Sequence, residues 1–460
     1  ITNGGAVYMN TGPVYVGLQG GANNSLIVTG PGSVLHSTNS TSGFVVNFSG
    51  RGDSVVVANG GKILYKLSTL SIGTFGGTNV VLVTGPGSVW SNSFSSGGAG
   101  AGYGLAIGRD WSCSSVIISN GGAFYGVGYT GPNDGHEFIG WGIGAKSNSI
   151  IVTGSGSIWS NDSGWGNDRV FGRFGSCYNS MTIADGGRVV DVLGAGGAYI
   201  GGYGGTGAGS NNVATVTDPG SVWQLVNGTM TVGSAGKANE LVVSNAARVS
   251  IGGTLTVGAS VGADSNRLTI NGGICSNNGA FTVGGLSASF NTVTVTNGSL
   301  STKGGAVIVG QCTAGFSPAT NNVVNVLKNG TWDLNNNALT IGNRSMSNSV
   351  VVDGGIVTNV NGITFGSFTA TPWAGDNSLI ITNGGAVVNA AGTTEGALGQ
   401  RSLVVVSGTG SFYRTTAFTL CSQDSGDGSN RLEVSNGGRL MNSGGFTFGE
   451  SGGSYNTAIV

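Results

Sequence analysis

The stretch Asn79-Val80-Val81-Leu82-Val83-Thr84-Gly85-Pro86-Gly87-Ser88-Val89-Trp90 decides the fold, because it returns. It occurs earlier as Asn24-Ser25-Leu26-Ile27-Val28-Thr29-Gly30-Pro31-Gly32-Ser33-Val34-Leu35, and in close variants at 148–159 and 212–223. Aligned on the Val of its fifth position, the whole chain falls into repeats. A Val or Ile stands at 28, 57, 83, 118, 152, 183, 216, 243, 270, 295, 326, 352, 381, 406, 434 and 460, with Ile1 one step earlier, and the intervals run from 25 to 35 residues. A period in the range of about 20 to 50 residues is the mark of a solenoid, propeller or array.

Each repeat places another apolar residue two positions before the anchor, from Leu26, Val55 and Val81 through Leu432 and Ala458. That period of two makes a strand with both residues facing inward. Four positions before the anchor stands an asparagine in thirteen repeats: Asn24, Asn79, Asn148, Asn179, Asn212, Asn239, Asn266, Asn291, Asn322, Asn348, Asn377, Asn430 and Asn456. Asp53, Ser114 and Ser402 replace it in the others. Such a column is what an asparagine ladder requires, stacked amides bonding from coil to coil at a corner.

After the anchor comes Asn-Gly-Gly (3–5, 59–61, 120–122, 271–273, 383–385, 436–438) or Gly-Pro-Gly (30–32, 85–87), residues suited to a tight corner. A second short strand follows, as in Ser88-Val89-Trp90. A third closes on glycine, as in Val16-Gly17, Ile72-Gly73, Ile107-Gly108, Ile143-Gly144, Val232-Gly233 and Val309-Gly310. The expected fold is therefore all-β: a right-handed parallel β-helix (β-solenoid) of about sixteen coils, three short strands per coil, no capping helix, and one continuous domain over 1–460. A propeller would need four antiparallel strands per blade and far fewer repeats.

Composition agrees. Ninety-one glycines and 8% charged residues disfavour helices, while 39% hydrophobic content supplies a core that a disordered Gly-rich chain lacks. Net charge is −1 and the 18 Lys and Arg are scattered, which argues against nucleic-acid and anionic-membrane partners. No apolar run approaches bilayer-spanning length, so direct membrane insertion by this segment is not expected. The five cysteines show no CxxC spacing and are expected to be free.

The alternation of LxVxNGGxV-type and VTGxGSxW-type coils, carried by 25–35, 79–90, 148–159, 212–223 and 430–440 with the IG and VG strand ends, resembles the repeats of type V secretion passengers and PEP-CTERM-associated surface proteins of Gram-negative bacteria. That resemblance covers essentially the whole chain. It implies secretion and a stalk-like or adhesive role, and it carries over no catalytic residue. In the second half Asn245-Ala246-Ala247, Asn297-Gly298-Ser299 and Asn329-Gly330-Thr331 depart from the pattern, so corner geometry there is the least determined.

Candidate sites each have a plain alternative. Asp185 and Asp218 share a corner column and could pair as a calcium site or an acid and base, but read first as turn residues replacing Asn. Asp134-Gly135-His136-Glu137, near Trp141, is the one dense polar group and reads as a loop, with metal or proton chemistry as the alternative. Asp424 and Asp427 read as a corner loop, Arg51-Gly52-Asp53 as a chance tripeptide, and Cys113 and Cys177 as lying two coils apart, beyond disulfide reach. Residues 90–223 hold twelve of the nineteen Trp and Tyr in the longest coils. Trp90, Tyr125, Trp141, Trp159, Trp165 and Trp223 could line an aromatic edge for glycans or a protein; the competing reading packs those loops on their own solenoid. The outward residues Ile27, Val56, Leu82, Ile117 and Ile151 form an apolar ridge expected to meet a lateral rod or be roofed by the chain's own loops.

No metal, cofactor or catalytic residue is expected. The leading expectation is a structural rod or filament protein at a bacterial cell surface or outside the cell, continued end to end by like subunits or further repeats. That last expectation comes from the matching phase of Ile1 and Val460. A glycan-binding adhesin comes second, and a polysaccharide-degrading enzyme third.

Overall fold

The structure is a computed structural model that describes residues 1–38, 43–67, 69–94, 104–111, 113–127, 136–163, 168–193, 196–203, 207–313, 316–367, 375–395, 401–420, 429–449 and 455–460. Among them every regular element is a β-strand, and the strands pair in parallel between successive repeats. The protein is a parallel β-solenoid, and the count of about sixteen coils is approximate. Its residues group into two compact units: Ile1–Met230 with Asn239–Gly252, and Thr231–Ala238 with Gly253–Val460.

In the first unit the anchor strands run from Ser25–Thr29 to Glu240–Ser244, eight in all. They pair without slippage, so Val28 lies beside Val57, Val57 beside Val83, Val83 beside Ile118 and Ile118 beside Val152. All five are fully buried. Each contributes roughly 1.5–3 kcal/mol by leaving water. A slip of one residue would turn the whole inward column outward, which is why the anchors hold the register.

The first corner alternates in length. Five residues (Thr29, Gly30, Pro31, Gly32, Ser33) separate Val28 from Val34, and four (Ala58, Asn59, Gly60, Gly61) separate Val57 from Lys62, yet Val34 and Lys62 are neighbours. The extra residue is used. The serine ending each long corner accepts the backbone N–H of the preceding coil's first corner glycine: Gly4 to Ser33, Gly60 to Ser88, Gly121 to Ser157 and Gly186 to Ser221, at 3.0–3.1 Å. The second glycine has a steric cause, since a Cβ on Gly61, Gly122 or Gly187 would lie 2.3–2.4 Å from the anchor carbonyl of the coil before. Ala246-Ala247 fits nonetheless, with Ala246 at φ +63° and Ala247 buried.

The second unit also carries eight anchor strands, from Arg267–Asn271 to Thr457–Ile459, with Ile270, Val295, Val326, Val352, Ile381 and Val406 in register and buried. Its early corners are shorter: three residues separate Ile270 from Ile274 and Val295 from Ser299. Two of its coils merge the second and third strands into Thr331–Asn343 and Ile356–Ser367, with register shifts where a corner would otherwise stand.

Candidate functional site

The asparagine column forms a polar spine, unbroken through the first unit and interrupted in the second at Ser402, whose hydroxyl is buried without a hydrogen-bond partner. Each amide oxygen accepts both the backbone N–H and the Nδ2 of the preceding coil's asparagine: Asn148 to Asn179, Asn179 to Asn212 and Asn212 to Asn239 in the first unit. Asn266, Asn291, Asn322, Asn348 and Asn377 repeat this in the second. The ladder also explains the strand-closing glycine. A Cβ at Gly108 would lie 2.1 Å from Asn148 Cγ, and one at Gly310 2.2 Å from Asn348 Cγ, with both glycines at positive φ.

This contact corrects one strand assignment. Gly140, not Gly144, backs onto the ladder, its Cβ position 2.4 Å from Asn179 Nδ2. The third strand there is Glu137–Ile139, and Ile143 lies on the corner beyond it, 77% exposed. Two Ile-Gly pairs four residues apart made the phase ambiguous in sequence.

The same shift corrects the reading of Glu137 as a loop residue, while His136 is buried just before the strand; Asp134 and Gly135 lie outside the described residues. Glu137 pairs with Arg169 in the next third strand, Arg169–Phe171, and both point into the coil. Arg169 Nη2 lies 2.8 Å from Glu137 Oε2 and also contacts Asp191 Oδ1. Trp223 Nε1 donates to Asp191 Oδ2 at 2.9 Å, and the Arg169 guanidinium lies 3.4 Å over the Trp159 ring. The Arg169 and Asp191 side chains are 0% exposed. Burial pushes the Glu137 carboxyl up to about 7, against the pull of Arg169, and raises Asp191 for the same reason. Beside this group Gly197 N–H donates to Asp168 Oδ1 and Asp168 N–H to His136 Nδ1. The arrangement can hold a proton, and its carboxylates Glu137, Asp168 and Asp191 are all buried.

The packing does not form the expected aromatic edge. Trp90, Trp159 and Trp223 are core residues, at most 1% exposed, because the second strand's inward phase falls on the residue after Val89, Ile158 and Val222. Trp90 Nε1 is satisfied by Asn92 Oδ1 at 2.7 Å. Trp141 is half-buried with Tyr199 and Tyr203 over Ala106, Phe138 and Val170, a layer on the outside of the third strands. Tyr125 is half-buried on the second strand's outer face, and Trp165 lies outside the described residues. Among the exposed rings of the described residues, Trp111 at 56% and Phe75 at 46% stand together on the ladder corner of the first unit. Trp111 is one of the twelve aromatics counted over 90–223, whereas sequence reasoning missed Phe75, Arg169 and Asp191; the third-strand phase would have placed Arg169 inward.

The remaining candidates have ordinary geometry. Asp185 and Asp218 are positive-φ corner residues whose carboxylates accept from Thr153 and Thr217. Cys113, Cys177, Cys275 and Cys312 are free thiols, and Lys146 sits between the first two in their column. Asp53 occupies the ladder, accepting from Asn24 N and Nδ2 through Oδ1. Val56, Leu82, Ile117 and Ile151 are half-buried side by side, and Ile27 is 47% exposed. Asp424, Asp427 and Cys421 fall outside the described residues. Among the described residues no three His, Cys, Asp or Glu side chains converge as metal ligands would.

No protein-family model matches the chain, and no curated protein matches it. Among solved structures it is similar to the crystal structure of a TibC-catalysed hyper-glycosylated TibA55-350 fragment. The identity is 17%, over 84% of this chain and 97% of that one, at a TM-score of 0.29. A likeness that slight assigns neither family nor function.

Proposed function

We propose that the chain is a non-enzymatic structural part of a bacterial cell surface or of an extracellular filament. The observation that carries this reading is where the unusual chemistry sits. Glu137 and Asp191, the carboxylates whose acidity burial weakens, lie buried in the coil interior beside Arg169, while an enzyme acting on a polysaccharide must present its acid and base to the polymer. The resemblance of the coils to secreted surface repeats supports the location. An adhesive role is the second reading, favoured by Trp111 and Phe75 standing exposed on one corner.

Immunolabelling of intact source cells should find the chain outside the outer membrane, and confinement to the cytoplasm would overturn the location. Incubation with acidic polysaccharides, with and without calcium, should release no product. Turnover that disappears in Glu137→Gln would overturn the non-enzymatic role.

A further inference from the structure

On the ladder corner of the first unit a groove of about 560 Å³ runs across successive coils. Its floor is backbone: Gly20, Gly50, Gly76 and Gly77. The bareness is enforced, because a Cβ on Gly50 would lie 1.7 Å from the Gly21 carbonyl oxygen and one on Gly76 1.8 Å from that of Gly50. The walls carry Trp111, Phe75, Arg51 and the hydroxyls of Ser49 and Thr78. Phe75 is braced edge-on by Phe48, ring centroids 5.4 Å apart. Arg51 is exposed and forms no ion pair with any described residue.

We propose that this groove binds a saccharide bearing a carboxylate, its ring face on Trp111 and Phe75 and its acidic group on Arg51. Three features select that chemistry. Exposed aromatic faces take a surface that is apolar on one side and polar on the other, as a pyranose ring is. The free guanidinium offers a forked donor matched to a carboxylate. The walls hold no aliphatic side chain larger than Ala22, so the side chains of an acidic peptide find no apolar pocket, whereas sugar hydroxyls meet Ser49, Thr78 and the glycine backbone. The inference concerns a surface that the scaffold reading leaves unused, and it stands or falls separately from the location of the chain.

The test is calorimetric titration of the full chain with three probes: oligogalacturonate, the same oligomer reduced to its neutral sugar, and a Glu-rich peptide. Oligogalacturonate should bind most tightly. Trp111→Ala should weaken both saccharides about tenfold, and Arg51→Gln should remove the preference for the acidic one while sparing the neutral one. Both positions are exposed, so unchanged melting would verify that the variants fold. Saccharide binding that neither substitution alters, absence of binding by either saccharide, or tighter binding of the peptide would each overturn the proposal.

Discussion

The two units share one anchor column and one ladder chemistry, but their interiors differ. The first buries Asp53, His136, Glu137, Asp168, Arg169 and Asp191 and fills its second-strand column with Trp90, Phe124, Trp159 and Trp223. The second buries no Asp, Glu, His, Lys or Arg among its described residues; its inward polar groups are Asn, Ser and Thr, such as Asn277, Asn389 and Thr393. Corners differ in step: long and short corners alternate throughout the first unit and return only in the last coils of the second, whose earlier coils include three-residue corners and two continuous strands. Stacking therefore needs only the anchors, the ladder and its glycines. What fills the space between them is free to vary, and the first unit has filled it with charge.

That charge makes the first unit the vulnerable one. Arg169→Met should be the most damaging substitution, leaving Glu137 and Asp191 buried without their cation at a cost of about 3–5 kcal/mol. Hydrogen exchange should show lost protection in Ser180–Ala184 and unchanged protection in Ser349–Asp353. Equal loss in both strands would break the distinction between the units. Replacing Glu137, Arg169 and Asp191 together by apolar residues should recover most of the stability.

Acidity should separate the units next. Glu137 is raised by burial to about 7 from an ordinary value of 4.5, so the folded state holds its proton more tightly than the unfolded chain. Stability from that proton is complete below about 4.5 and is lost as pH rises through about 7, by about 3 kcal/mol at most; Asp191 is shifted in the same direction. Exchange from the first unit's anchor strands should accelerate over that window, and Glu137→Gln should flatten the dependence. The second unit, with no buried carboxylate described, should show none of it.

The shared chemistry predicts the opposite of a contrast. Gly108→Ala and Gly310→Ala each drive a methyl to about 2 Å from a ladder asparagine at positive φ, so both units should lose about 2 kcal/mol or more. Thermal melts in which only one variant is destabilised would show that the ladder matters in one unit alone.

These distinctions were unequally legible in the sequence. Anchors, ladder and corner glycines could be read because stacking imposes the same requirement on each coil, and repetition exposes it. Glu137, Arg169 and Asp191 occur once each, in strands of three to six residues, and their partners are set by which Ile-Gly pair closes the strand. Choosing Ile143-Gly144 over Ile139-Gly140 sent Glu137 into a loop. The tryptophans were misread for a related reason: clustering along the chain suggested a surface, while their period-two phase from the corner had already turned them inward. Trp111 and Phe75 carry no such phase signal, since they lie on a corner whose direction only the stacked backbone defines.

The smallest predicted effect asks whether one imperfection in the ladder matters. In the first unit Asp53 takes an asparagine's place, receiving Asn24 N and Nδ2 on Oδ1 as an amide oxygen would, while its N–H continues the column to Asn79 Oδ1. Its other oxygen stands where an amide would donate; Oδ2 is buried without a hydrogen-bond partner. Asp53→Asn should restore a donor at that point without changing shape, raising stability by about 1 kcal/mol. Ser402, the second unit's substitution in the same column, is the control: its Oγ is also buried and unpartnered, so Ser402→Asn should act in the same direction. A gain from both would show that the ladder is a common element limited by its weakest rung. A gain from Ser402→Asn with a loss from Asp53→Asn would mean that the first unit has come to depend on a buried acid even in its spine, as it does around Arg169.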